Sequence, residues 1–433
     1  MAAKRPYPRA IVHFDADSFF ASVEQSLDYT LRGNVVVTGG ERGAATSVSV
    51  EGKRLGLARG MTLQEMRRRC PDLVIVPGDY TAYSIYAHRM YRIARRFTPN
   101  VEEYSIDECF ADITGLDEAL GIPYEGIARA MKDRLQTELG LTFGVGLGPN
   151  KAIAKIASKV NKPDGFAAIP VAQIPRFLET LPISSVWGVG FHTALRLEGL
   201  GVLTALDFAR KDDDWLKEHA MSKPYRDIWL ELRGHFVRPL STDADDVMGS
   251  ILQSRTFAPT TDRQLLLSAL AKNIEGACAK ARRHGVRART CRFYLKTQEF
   301  RYAGKNLSMS AACVDPREFL RLVEAHLDSV YEPGTLYRAT GFGLYAITPD
   351  AKTIPDLFGD SARMERESGL LRAMDRINKK YGRHMLHLGA SATALARETE
   401  TFARKKMRKR AKPALGVDYR KKSLAIPHLG IAR

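Results

Sequence analysis

The sequence predicts an α+β protein of several domains, on three observations. The chain has 433 residues, more than one ordinary core accommodates at roughly 100 to 200 residues per domain. Hydrophobic residues make up 45% and charged residues 27%, the balance of folded cores under a charged surface rather than of disorder. The apolar periodicity also changes along the chain: a strand running into a helix near the start, short helices in the middle, and an ordered succession of strands and helices from about residue 249.

Residues 10–15 alternate as a strand and give way at Ser18 to a helical stripe of Phe19, Val23 and Leu27, so Asp15 stands at a strand end. Residues 34–38 read as a buried strand, residues 39–43 as a Gly-rich turn and residues 84–97 as a helix. Residues 101–113 suit two short strands joined near 105–108. A turn matters there, because neighbours in a straight strand point to opposite faces and only a turn or bulge lets Asp107 and Glu108 address one place.

Residues 181–235 are helical with short loops. After a linker at 239–248, residues 249–348 follow a β-α-β-β-α-β order with clear alternation of Cys291, Phe293 and Leu295 against Arg292, Tyr294 and Lys296. Residues 349–433 form an extension with a helical stretch at 369–381 and a basic run at 404–410.

The charge balance, 66 Lys plus Arg against 49 Asp plus Glu, leaves +17 and favours a polyanionic partner, nucleic acid ahead of an anionic membrane surface. Five cysteines, odd in number and without C-x-x-C spacing, suggest neither a disulfide framework nor a cysteine zinc site, and fit a reducing cytosol. No signal peptide or transmembrane helix is expected, since His13, Asp15 and Asp17 break the first apolar run.

Three segments carry chemistry. Residues 13–24 read HFDADSFFASVE, residues 104–112 read YSIDECFAD, and FGVGLGPNK at 143–151 continues through AKIASK at 154–159 to NKPDG at 161–165. Carboxylates crowded into a cleft require either raised pKa values or a bound cation. In this order and spacing the segments resemble the metal-binding and nucleotide-binding motifs of Y-family DNA polymerases, the lesion-tolerant class. The resemblance spans residues 10 to about 390.

It implies a right-hand polymerase. The palm would be residues 1–31 and 92–180, small fingers 32–91, a helical thumb 181–238 and a β-α-β-β-α-β little finger 249–348. It further implies that Asp15, Asp107 and Glu108, with the carbonyl of Ala16, ligate two Mg²⁺ ions, for which Mn²⁺ can substitute. Phe20 would be the steric gate against ribonucleotides with Phe19 beside it, and Lys162 would approach the triphosphate. Asp17 is expected to cap the first helix.

In the fingers, the family's tyrosine and its arginine three positions on are replaced by Val50 and Lys53. Lys53 supplies charge without a bidentate fork, and Ser47 is the candidate to compensate. Residues 187–190 (WGVG) resemble a helix-hairpin-helix in which Gly188 and Gly190 let backbone N–H groups approach a DNA phosphate. Arg283, Arg289 and Arg292, with Arg282, Arg287, Lys296 and Arg301, would give the little finger a basic DNA-binding face.

Ile354, Leu357 and Phe358 resemble a sliding-clamp-binding pentapeptide, and residues 374–383 (MDRINKKYGR) resemble the bacterial DNA polymerase V catalytic subunit more than polymerase IV. The expected partners are therefore primer–template DNA, dNTPs, a sliding clamp and an accessory activator. The expected setting is translesion synthesis in the SOS response of a bacterial cytoplasm. The alternative is a non-catalytic adaptor of the same family, which retention of the three carboxylates disfavours.

Overall fold

The computed structural model describes residues 6–39, 44–242, 249–350, 360–382 and 384–397, with the backbone alone for 360–368. The chain divides into two units, one holding Met1–Ala244 and the other Asp245–Ser423.

The first unit begins with β1 (Ile11–Ala16) and α1 (Phe19–Leu27). β2 (Val36–Gly39), β3 (Ala45–Val48), α2 (Val50–Arg54), α3 (Leu63–Arg69) and β4 (Val74–Val76) follow, then α4 (Tyr80–Ala94). Next come β5 (Val101–Ser105), β6 (Glu108–Asp112), α5 (Leu116–Leu120), α6 (Tyr124–Leu139), β7 (Phe143–Gly148), α7 (Lys151–Ala157) and β8 (Phe166–Ala168). α8 (Ile174–Glu179), α9 (Phe191–Gly199), α10 (Ala205–Ala209), α11 (Asp213–Glu218) and α12 (Lys223–Leu232) close it.

One sheet has the order β5-β6-β1-β7-β8 and a second, smaller one β3-β2-β4. β1 is central in the larger sheet and every residue of it is buried, because helices cover both faces. The period of two sorts its side chains: Val12, Phe14 and Ala16 join the core with α1, α4 and α6, while Ile11 packs with Phe110 and Ala154 of α7 on the other face. Each large apolar side chain fully buried in this way contributes about 1.5–3 kcal/mol. β7 is built to receive α7: a Cβ at Gly144 or Gly146 would meet the backbone of Ser158 or Ala154, so the helix rests directly on the strand.

The helix expected at 84–97 begins earlier, at Tyr80, because Asp79 accepts hydrogen bonds from the N–H groups of Thr81 and Ala82, each 3.1 Å away, and so caps it. The expected turn between β5 and β6 is present: Ser105 pairs with Glu108, leaving Ile106 and Asp107 as a two-residue connection.

In the second unit β9 (Ile251–Thr260), α13 (Arg263–Arg283), β10 (Val286–Thr297), β11 (Tyr302–Cys313), α14 (Pro316–Leu327) and β12 (Tyr337–Pro349) reproduce the expected β-α-β-β-α-β order. The antiparallel sheet runs β11-β10-β12-β9, with Cys291, Phe293 and Leu295 turned into the core alongside the helices. α15 (Asp360–Tyr381) starts nine residues before the expected 369. It is held to α13 by Arg282, which donates to both carboxylate oxygens of Asp375 at 2.7 and 2.8 Å. Residues 384–397 continue along α13, where Leu388 N–H donates to Glu275 and Ala394 N–H to Ser268. Ile354, Leu357, Phe358 and the basic run 404–410 lie outside the described residues.

Candidate active site

Asp15 and Glu108 are directly opposed across β1 and β6, which places their side chains on one face. Asp107 sits in the turn just before Glu108. Its carbonyl accepts from Ala16 N–H at 3.0 Å and its carboxylate from the Ser105 hydroxyl at 2.6 Å. Asp15 and Glu108 thus lie together at one end of the central strands, with Asp107 in the adjoining turn.

The electrostatics register the crowding. Burial pushes the Asp15 carboxyl up, the Lys162 ammonium pulls it down, and the negative charges of Glu108 and Asp107 add to the rise, the net being a raised pKa. Burial acts in the same sense on Glu108, but the neighbouring His13 imidazole and Lys155 ammonium outweigh it and bring Glu108 down to about 2.

Two lysines answer these acids. Lys162, from the loop after α7, is 2.6 Å from Asp15 and 3.5 Å from Asp17. Lys155 of α7 pairs with Glu108, and its ammonium lies 4.2 Å from the centre of the Tyr104 ring. Asp15 is paired with Lys162, Glu108 with Lys155 and Asp107 with Ser105, and no cluster of three metal-ligating groups closes among the described residues. The donor set is nonetheless one of hard oxygen ligands, with like charges gathered where a divalent cation would relieve them.

Phe20 is part-exposed and stacks on Tyr83, with Tyr80 edge-on at 5.7 Å. The Tyr83 hydroxyl is fixed by a 2.8 Å bond to the buried Glu24. Lys53 points to the same region: burial and then the Lys162 ammonium lower its pKa, while Asp17 and Asp15 act to raise it.

The impB/mucB/samB family matches residues 14–159, and the C-terminal domain of that family matches residues 249–357. A DNA polymerase IV of Moorella thermoacetica is 31% identical over 393 residues, covering 89% of this chain and 96% of the relative. One of Caulobacter vibrioides is 30% identical, covering 86% of the chain and 92% of the relative. Among solved structures, a Y-family DNA polymerase chimera superposes with a TM-score of 0.67 at 22% identity, covering 78% of this chain and 99% of that one.

The chain is a Y-family DNA polymerase. Translesion DNA synthesis is its reaction class, and family members use divalent metal ions. These relatives, matched over most of their length, carry the polymerase IV name, and the chain is polymerase IV-like.

Several expectations for the polymerase need correction. Asp17 does not cap α1: the N-cap is Ser18, in a left-handed conformation, and Asp17 instead accepts from the Thr142 hydroxyl at 2.9 Å and from Asp164 N–H at 2.8 Å, fastening the loop that carries Lys162. The Phe19 side chain is core, 4% exposed and packed with the sheet. Ser47 already donates to the Ser18 carbonyl at 3.2 Å.

The basic face is smaller than the sequence suggests. Arg282 is committed to Asp375 and Arg287 to Asp350, and Arg283 lies in the last turn of α13 rather than on the sheet. Arg289 and Arg292 are exposed on β10. In the hairpin before α9, Gly188 has φ +88, where a side chain is strained and a Cβ would strike Ile228; a Cβ at Gly190 would meet nothing within 4 Å. Trp187 beside them packs edge-on against Tyr104 at 5.5 Å, linking the hairpin to the carboxylate-bearing sheet. Sequence reasoning missed Lys155, His13 and Tyr83. A basic residue repeated at 155 and 162 inside one motif was the available signal for the first.

Among the described residues no helix is long and apolar enough to cross a membrane.

Proposed function

We propose that the chain extends a primer along a template by joining a dNTP to the primer 3′-hydroxyl at the site formed by Asp15, Asp107 and Glu108. The observation that carries the reading is the cross-strand pairing of Asp15 with Glu108, with Asp107 in the adjoining turn. Asp15, Asp107, Glu108 and the Ala16 carbonyl would hold two Mg²⁺ ions, or Mn²⁺ in their place. When bound, such ions lower the pKa of the attacking hydroxyl and neutralise charge on the triphosphate and the pyrophosphate leaving group.

The chain's own residues do the rest. Lys162 and Lys53 offer ammoniums to the triphosphate, and Phe20 closes the space a ribose 2′-hydroxyl needs. In this reading residues 1–31 and 92–180 are the palm, 32–91 the fingers and 181–238 the thumb. Gly188 and Gly190 expose backbone N–H groups to a DNA phosphate, and Arg289 and Arg292 of the little finger, 249–348, take the duplex backbone. The C-terminal extension would recruit a sliding clamp through Ile354, Leu357 and Phe358, and an accessory activator would work on the same chain in a bacterial cytoplasm.

Primer extension with Mg²⁺ on undamaged and abasic templates tests the reading. Wild type should extend both, and Asp107→Ala with Glu108→Ala should lose extension while keeping DNA binding. A folded, DNA-binding wild type that extends neither template would favour the adaptor or a missing activator.

A further inference from the structure

The face of β1 that carries Asp15 also carries His13, two residues earlier, and this imidazole is fully buried against α7. Its ring packs on Phe110 with centroids 4.4 Å apart. Nδ1 is 2.7 Å from the Ser158 hydroxyl oxygen. Nε2 is aimed at Glu108 Oε2 from 3.4 Å, long for a hydrogen bond, and has no other partner.

A buried polar nitrogen left unbonded costs stability, and an apolar side chain would fill the same space without that cost. The imidazole is therefore better explained by what it does to Glu108. A neutral imidazole carries one proton, on either Nδ1 or Nε2.

Where that proton sits matters. On Nδ1 it would leave the Nε2 lone pair facing a carboxylate oxygen. On Nε2 it gives the carboxylate a donor, and the Ser158 hydroxyl then donates to Nδ1. Ser158 can turn between Nδ1 and the Lys155 carbonyl, 2.8 Å away, so the second arrangement is accessible.

We propose that His13 is a positioning residue: in the tautomer in which Ser158 donates to Nδ1, its Nε2–H holds Oε2 of Glu108, leaving the other carboxylate oxygen for the divalent ion. Lys155 addresses the same Oε2, so the two donors orient the acid together. The inference rests on Glu108 being a metal ligand. Outer donors of this kind typically change metal affinity or activity by about 10–100-fold when removed.

The test is Mn²⁺ binding, measured by calorimetry on the full chain with a dideoxy-terminated primer–template and a non-incorporable dNTP analogue. His13→Leu should bind Mn²⁺ about tenfold more weakly, with unchanged DNA affinity and unchanged melting temperature. His13→Gln, which returns an amide N–H near the Nε2 position, should recover most of the loss, and Ser158→Ala should fall between. In extension assays the metal requirement should rise while kcat at saturating metal stays near wild type.

His13→Leu within about twofold of wild type, or His13→Gln no better than a folded His13→Leu, overturns the proposal. Should His13→Leu not fold, Ser158→Ala decides: wild-type Mn²⁺ affinity in that variant refutes it. Asp107→Ala separates the two levels. If that variant binds Mn²⁺ like wild type, the metal-site reading itself fails; if it is weakened while His13→Leu is not, only the role of His13 falls.

Discussion

Phe20 lies flat against Tyr83, with ring centroids 4.4 Å apart and planes 16° from parallel. In the steric-gate role proposed for Phe20, one aromatic ring is only as rigid as what stands behind it, and the backing ring is itself pinned to Glu24. Phe20→Ala should reduce discrimination against ribonucleotides by the order of a hundredfold, the scale of a pocket that has lost its shape. Tyr83→Leu should lose about a tenth as much. Single-nucleotide insertion with matched rNTP and dNTP measures both, and unchanged sugar selectivity in Phe20→Ala would remove it from the gate.

Lys53 is proposed to offer its charge to the triphosphate, and a point charge cannot make the two parallel bonds that a guanidinium makes to phosphate. Lys53→Arg should lower the KM for dNTP several-fold with little change in kcat, as judged from steady-state insertion. A higher KM would mean that the site is shaped around the lysine.

Arg289 and Arg292 are exposed cations on β10. Removing both should weaken binding to all duplex sequences alike and reduce the slope of log affinity against log salt by about 2, since each phosphate that a cation neutralises accounts for about 0.9. A salt titration by fluorescence anisotropy reads this, and an unaltered slope would place the duplex elsewhere.

Asp315 caps α14 and is gripped by Arg317 through backbone N–H and guanidinium, at 2.8 and 2.6 Å. Burial of the carboxyl acts to raise its pKa, yet the Arg317 bonds prevail and hold it below its ordinary value. A depressed folded pKa gives stability that is present above the unfolded value, about 3.9, and is lost as pH falls through the folded one. Asp315→Asn keeps a capping oxygen but not the charge. It should cost about 1–2 kcal/mol at pH 7 and almost nothing near pH 2, by denaturant unfolding at the two pH values.

Much of this was legible in the sequence because the signals were local. Period-two alternation announced β1 and β10, and the need for two adjacent acids to face one way announced the turn at Asp107. The errors arose where partners are distant in the chain. Asp17 looks like a cap from its neighbours alone, but its partners are Thr142 and Asp164. Arg282 counts as surface charge until Asp375 is brought beside it by α15. Phe19 and Phe20 are adjacent letters, and only packing against the sheet on one side and Tyr83 on the other tells the core ring from the part-exposed one. Lys155 could be quoted but not assigned, since no spacing rule connects a residue of α7 to an acid on β6.

The bare stretch of β7 beneath α7 has one more implication. With no side chain at Gly144 or Gly146, the helix bearing Lys155 is seated on strand backbone, and its height above the sheet is set by main-chain contact instead of by whichever methyl groups happen to lie between. Core substitutions elsewhere can reshape side-chain packing without altering that separation. The span from Glu108 to the opposing Lys155 ammonium therefore behaves as a ruler cut in the backbone of this chain.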